Sequence, residues 1–275
     1  MRKLSISAEN AEFQIIRSLK LSREKRNKHN EIFIEGIECI KQAIASHIEI
    51  TRIITADTEN LSDWGKGLID KNENARVIEM PERLYGSLCD KTVPSELVVT
   101  AGIKRQSLGD ISPDNPFFVV FDRPSDYGNL GTTVRSANAF CVDGILIVGH
   151  GIDVYESRVI RASMGSVFST NIVCVESMDT LTEYIENQKT KNNMLVIGTD
   201  SKGEASLAAV KIKRPVMVII GNEAKGMSVK LKDLCDKIIK IPMGGKVNSL
   251  NVSCAASIVM WEVFKNSECG IRNSE

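Results

Sequence analysis

At 275 residues the chain exceeds a single domain of about 100 to 150 residues and suits two, with 43% apolar and 25% charged residues to fill and clothe their cores. No apolar run approaches the roughly 18 residues that span a bilayer, and MRKLSISAENAEF has no apolar signal-peptide core, so we read the protein as soluble and cytoplasmic, without a membrane partner. The balance of 35 basic and 35 acidic residues excludes a basic surface over the whole molecule.

The elements then follow in chain order. AEFQIIRSLK has helical spacing, EGIECIKQAIAS reads as an amphipathic helix, and RIIT, ARVIEM and LVVTAGI read as short strands separated by helix-length segments. This predicts a small α/β domain over residues 1–103. Within it, Arg17, Lys20, Arg23, Lys25, Arg26 and Lys28 face only Glu24, a basic run that usually marks a solvated segment and is also the type that contacts nucleic acid. KRQSLGDISPDNP, residues 104–116, is polar, holds Gly109, Pro113 and Pro116, and reads as a linker.

A second series occupies 117–275: FFVVF, ILIV, NIVCV, MLVIG, VMVII and KIIKIP, most of them separated by helix-length stretches. Strands apolar at nearly every residue fit a parallel sheet covered by helices on both faces, with a ligand site beyond the carboxyl ends of its strands. SVKLKDLCDKI is helix-compatible, and ECGIRNSE at the C-terminus reads as a frayed tail.

The familiar ligand motifs fail. Seven scattered cysteines never adopt a CxxC spacing, and His29, His47 and His150 lie far apart, so neither a disulfide framework nor a metal is predicted. GNEAKGMS carries Met227 where a P-loop has lysine, and GHGIDV carries Val154 where a dinucleotide fingerprint has its third glycine. Three polar-rich segments nevertheless fall at strand-to-helix junctions of the second series. In DRPSDYGNLGTTVRSANAF, Asn129 and Thr132 are candidate helix caps, with Arg135 inside the first two turns. GNEAKGM puts Glu223 ahead of a helix. In IPMGGKVNSLNVSCAASIVMWEVF, Asn248 or Ser249 is a candidate cap before a helix whose Ser253, Ala255, Ala256 and Ser257 permit close packing.

NLGTTVRSANAF, GNEAKGM and IPMGGKVNSLNVSCAASIVMWE, in that order, resemble the three motifs of the SpoU-type (TrmH-like) RNA ribose methyltransferases of the SPOUT superfamily, with RASMGS as a further family segment. The resemblance spans about residues 117–265, and SLKLSREKRNKHNEIFIEGIECIKQAI resembles the substrate-binding extension of ribosomal RNA members. It implies an α/β protein whose parallel-sheet domain contains a deep trefoil knot, and a homodimer packed through the knot region. It implies S-adenosyl-L-methionine as cofactor, held around Gly198 and Thr199, at Gly221, and from Ile241 through Met243 to Leu250.

The acceptor implied is a ribose 2′-hydroxyl, in ribosomal RNA rather than transfer RNA, with no metal. Arg135 matches the family arginine held to activate that hydroxyl. Its guanidinium is a poor base, so stabilisation of the developing alkoxide, or orientation of the neighbouring phosphate, fits it better. Asn129, Glu223, Ser249 and Asn251 match polar positions that orient arginine, ribose and loop. Arg161 and the basic run Arg17 to Lys28 are assigned to RNA. The sequence departs from the frequent DPxNxG form by placing Tyr127 and Gly128 before Asn129, which bears on substrate class. Two other readings are an RNA-binding or assembly factor that has lost activity, which predicts missing site residues, and an antibiotic-resistance methyltransferase of the same chemistry.

Overall fold

The computed structural model describes residues 2–90 and 93–267; the tail at 268–275 and Cys269 lie outside them. The chain opens with β1 (Arg2–Ser5), α1 (Ala11–Leu21), α2 (Arg23–His29), β2 (Glu31–Glu35), α3 (Ile37–Ala45), β3 (Ile50–Thr55), α4 (Asp63–Lys71), β4 (Arg76–Glu79), α5 (Glu82–Leu88) and β5 (Leu97–Gly102). Then come β6 (Phe117–Asp122), α6 (Tyr127–Ala139), β7 (Gly144–Val148), α7 (Ser157–Ala162), β8 (Ile172–Val175), α8 (Met178–Asn192) and β9 (Leu195–Thr199). β10 (Ala205–Ser206), β11 (Val216–Ile220), α9 (Val229–Asp233), β12 (Lys237–Lys240) and α10 (Val252–Lys265) complete it. No helix among the described residues is long and apolar enough to cross a membrane.

Two compact units result. The first takes the described residues up to Lys104 together with Asp153–Ser169; the second takes Arg105–Ile152 and the described residues from Thr170 onward. The segment Asp153–Ser169 therefore leaves the continuous 117–275 domain that the sequence predicts. The cause lies in its side chains: Asp153 accepts from Arg26 Nε at 2.7 Å, and Arg161 pairs with Glu35 at 3.0 Å and Asp90 at 2.6 Å. The predicted linker is not free either, since Ile111 is buried and Leu108 packs on the core of the second unit.

The first unit is a five-stranded sheet in the order β1-β4-β3-β5-β2, with β5 antiparallel to both neighbours and the other pairs parallel. α1 places Phe13, Ile16 and Leu19 on one buried face at helical spacing. The basic run spans two helices because Ser22 stands extended between them, and its hydroxyl accepts from Lys25 N at 3.3 Å to start the second.

The second unit is a seven-stranded, wholly parallel sheet in the order β10-β12-β9-β11-β6-β7-β8. β6, β7 and β11 are buried at every residue, as a sheet covered on both faces requires. Phe118, Val120, Leu146, Met217 and Ile219 form its core with Leu181 and Ile185 of α8. From β6 the chain runs outward through β7 to β8, then returns to the far side of β6 for β9 and β11. Strand order reverses there, and crevices for ligands open at such reversals.

Three local expectations change. Asp126 caps α6, accepting from Asn129 N at 2.8 Å, so the helix starts at Tyr127 and Arg135 falls in its third turn rather than the first two. Asn251, not Asn248 or Ser249, caps α10. Of SVKLKDLCDKI only Val229–Asp233 is α-helical.

Candidate active site

The carboxyl ends of β9, β11 and β12 open into a cavity of about 500 Å³, inside the range of about 300 to 1,000 Å³ typical of small-molecule sites. Ile220, Ile239, Ile241, Leu250 and Val259 give it apolar walls, and Thr199, Ser201, Asn222, Glu223 and Ser249 give it polar ones.

GNEAKGM forms a closed hairpin at the mouth. Asn222 N donates to Gly226 O at 3.1 Å and Gly226 N to Asn222 O at 2.9 Å, while Asn222 Oδ1 accepts from Ala224 N and Lys225 N at 3.0 and 2.9 Å. Gly226 takes φ +66°, and a Cβ on Gly221 would lie 2.4 Å from Met227 N, so the returning backbone packs where any side chain would stand. The Glu223 carboxylate accepts from Ser125 N at 3.1 Å, Ser125 Oγ at 2.6 Å and Asp126 N at 3.2 Å. It thereby ties this hairpin to the turn that launches α6.

In the lining of the cavity Asn251 works through both ends of its amide. Its Oδ1 accepts from Ser253 N at 2.9 Å and Ser253 Oγ at 2.7 Å, and its Nδ2 donates to Asn129 Oδ1 at 2.9 Å. α6 and α10 are joined again where the Ser136 and Ser257 hydroxyls meet at 2.7 Å. Asp200 accepts from Lys232 Nζ at 2.8 Å and Lys202 N at 3.0 Å, and these bonds hold its pKa below the ordinary carboxylate value.

Asn129, Glu223, Ser249, Asn251, Thr199, Gly221, Ile241, Met243 and Leu250 all line this one cavity. Two expected members do not. Gly198 faces the core, where a Cβ would meet Met227 Cε at 2.7 Å and Cys235 Sγ at 2.8 Å. Arg135 is exposed on α6, outside the lining, with no hydrogen bond or ion pair among the described residues. Asp200, Ser201, Asn222 and Val252 line the cavity and were missed. Asp200, Asn222 and Val252 each adjoin a residue singled out from sequence, so their signal is adjacency alone, and Ser201 carries none.

In the first unit the assigned RNA contacts divide. Arg26 is 2% exposed, donates to Leu19 O at 2.9 Å and pairs with Asp153. Lys20 pairs with Asp90 at 2.5 Å and donates to Leu88 O at 2.6 Å, and Arg161 is held by Glu35 and Asp90. Arg26 is buried, Lys20 nearly so and Arg161 half-buried, and all three are engaged by carboxylates of their own unit. Arg17, 3.6 Å from Glu9, is exposed, as are Arg23 and Lys28, and Lys25 is half-buried.

Fold and cavity together define a parallel α/β protein with a ligand site beyond the carboxyl ends of β9, β11 and β12. Residues 116–261 match the SpoU rRNA Methylase family and residues 10–99 match the SpoU L30e-like domain. The chain belongs to the SpoU rRNA methylase family and is thus an RNA methyltransferase. It is 30% identical over 267 residues, 96% of this chain and 93% of the relative, to the 23S rRNA (uridine(2479)-2′-O)-methyltransferase of Streptomyces viridochromogenes. A putative TrmH family tRNA/rRNA methyltransferase of Staphylococcus saprophyticus is 29% identical, covering 86% of this chain and 96% of its own length. Among solved structures, the SpoU methyltransferase AviRb from S. viridochromogenes in complex with the cofactor AdoMet superposes with TM-score 0.86 at 30% identity, covering 93% of this chain and 97% of that one.

Proposed function

We propose that this chain transfers a methyl group from S-adenosylmethionine to a ribose 2′-hydroxyl of ribosomal RNA in the cytoplasm. The observation that carries the reading is the convergence of three glycine- or proline-broken loops on one cavity that also holds Asn129, Glu223, Ser249 and Asn251. The cavity suits the cofactor. Ile220, Ile239, Ile241, Leu250 and Val259 form a slot for an adenine ring, and Thr199, Ser201 and Ser249 offer hydroxyls to a ribose. When bound, S-adenosylmethionine supplies an electrophilic methyl on sulfonium.

The chain's own part is to hold the acceptor in line and assist loss of its proton. Asn251 and Asn129, bonded to each other, set the relation of α10 to α6 at the cavity wall. Glu223 holds the cofactor hairpin against the entry to α6. Arg135 has no competing partner among the described residues, so its guanidinium is available to the phosphate beside the acceptor ribose or to the developing alkoxide. The name of the Streptomyces relative supports ribosomal over transfer RNA.

The trefoil knot and the homodimer belong to the same proposal. The exposed Ile258 and Trp261 on α10, with Trp261 and Phe264 flanking Phe140, give an apolar face for a second copy. RNA is held by Arg17, Arg23, Lys25 and Lys28, so affinity falls with added salt.

The test is transfer of label from S-adenosylmethionine to bulk RNA lacking the modification, with wild type and Arg135→Ala side by side. Label recovered as 2′-O-methylribose in ribosomal RNA from wild type alone supports the reading. Label in transfer RNA redirects the substrate, and no transfer to any RNA by cofactor-bound protein overturns the activity.

A further inference from the structure

At the end of β6, Arg123 has φ +49°, a left-handed backbone rarely taken by a residue with a long side chain. Three neighbours make room for it or hold it there. Its N–H donates to Val148 O at 3.0 Å, and its carbonyl accepts from Asn222 Nδ2 at 2.7 Å. Its aliphatic stem lies over Gly149, φ +82°, where a Cβ would stand 2.6 Å from Arg123 Cγ.

The guanidinium then turns back on its own neighbour. Arg123 Nε and NH2 clasp both oxygens of the fully buried Asp122 at 2.7 and 2.8 Å, and NH2 also reaches Gly226 O at 3.4 Å. Asp122 Oδ2 in turn accepts from Ser228 N at 2.7 Å. The cofactor hairpin is thus tethered to this dipeptide at Asn222, Gly226 and Ser228, at both of its ends. A cation that merely neutralised Asp122 would need neither the left-handed backbone nor the bare glycine beneath it.

We propose that Arg123 is a positioning residue that fixes the hairpin 221–228 in the form that accepts the cofactor, and so sets cofactor affinity. It touches no reacting atom, and it acts through Asp122, Asn222 and Gly226. The affinity part rests on the cavity being the S-adenosylmethionine site; the hold on the hairpin does not.

The test uses Arg123→Asn, because asparagine tolerates the left-handed backbone while lacking the guanidinium. Amide hydrogen exchange of the cofactor-free full chain is read at Gly226 and Ser228, with calorimetric S-adenosylmethionine binding and steady-state kinetics alongside. The expected result is exchange at these amides about tenfold faster, and a KM and Kd for the cofactor raised about tenfold, the size of one lost hydrogen-bonded contact, with kcat at saturation little changed. Wild-type exchange and affinity in a cooperatively folded variant overturn the proposal. Should the single variant leave Asp122 unpaired and fail to fold, Asp122→Asn is compared with Asp122→Asn plus Arg123→Asn, and the second change must speed exchange at Gly226 beyond the first, while equal exchange in the two overturns the proposal. If wild type itself binds no cofactor, the reading of the cavity falls, and exchange alone decides whether Arg123 holds the hairpin.

Discussion

Asn251 separates capping from alignment atom by atom, which makes it the sharpest probe of the site. Its Oδ1 caps α10 and its Nδ2 reaches Asn129. Asn251→Asp keeps the acceptor and loses the donor, so stability should be nearly unchanged while methyl transfer falls. Asn251→Ala should lose both, with a stability cost of about 1 kcal/mol. Thermal unfolding measured beside methyl transfer checks the pair. Asp200 gives a second prediction: its folded pKa lies below the ordinary value through Lys232 and Lys202 N. Its contribution is therefore fully present above the unfolded pKa of about 3.9 and disappears as pH falls through the folded one. Denaturant unfolding of Asp200→Asn against wild type should show the difference shrinking below pH 4. At this scale residue types are more legible in the letters than roles. Asn129 looks like a cap, but Asp126 has the carboxylate three residues before the free N–H, and nothing in a one-dimensional pattern ranks the two.

The hairpin 221–228 shows what an element can and cannot disclose from its letters. Two glycines after a buried strand signal close backbone approach, and the structure gives each its reason. The direction of approach was not legible: Gly221 is pressed by the main chain of the returning loop, whereas Gly198, read as its companion in the cofactor site, is pressed by the ends of the Met227 and Cys235 side chains. The two therefore respond differently to the same change. Gly221→Ala forces backbone apart and should cost about 1 to 3 kcal/mol and abolish cofactor binding. Gly198→Ala meets atoms able to move and should bind cofactor with less than a threefold loss. Paired equilibrium titrations decide this. The departure at Tyr127 also finds its meaning here, because Tyr127 is the first residue of α6, where proline is favoured but never required. The helix starts at the same place without it.

For the whole molecule, alternating apolar runs were enough to read two α/β units and a fully parallel second sheet, since covered strands must be apolar throughout. Strand order, the reversal beside β6 and the departure of Asp153–Ser169 were not readable, because each depends on contacts between residues a hundred positions apart. That long reach explains why the basic run misled. Arg26 has the same letters around it as Arg23 and Lys28, but its partner Asp153 lies 127 positions away. Arg26→Ala, which breaks a buried ion pair, should destabilise the protein by about 3 to 5 kcal/mol. Lys28→Ala should stay within about 0.5 kcal/mol in stability and weaken RNA binding with a shallower salt slope. Chemical denaturation and RNA titration at two ionic strengths separate the two effects.

The same long reach has a temporal side. A ribosome releases the chain from its N-terminus, and when Lys104 has emerged every strand of the first sheet is already made. The buried Arg26 and Glu35 nevertheless wait for Asp153 and Arg161. The amino-terminal unit is thus a structure whose last stones are delivered late, after β6, α6 and β7 of its successor have been synthesised. The native set of ion pairs in the amino-terminal unit is therefore complete only once Arg161 has been synthesised.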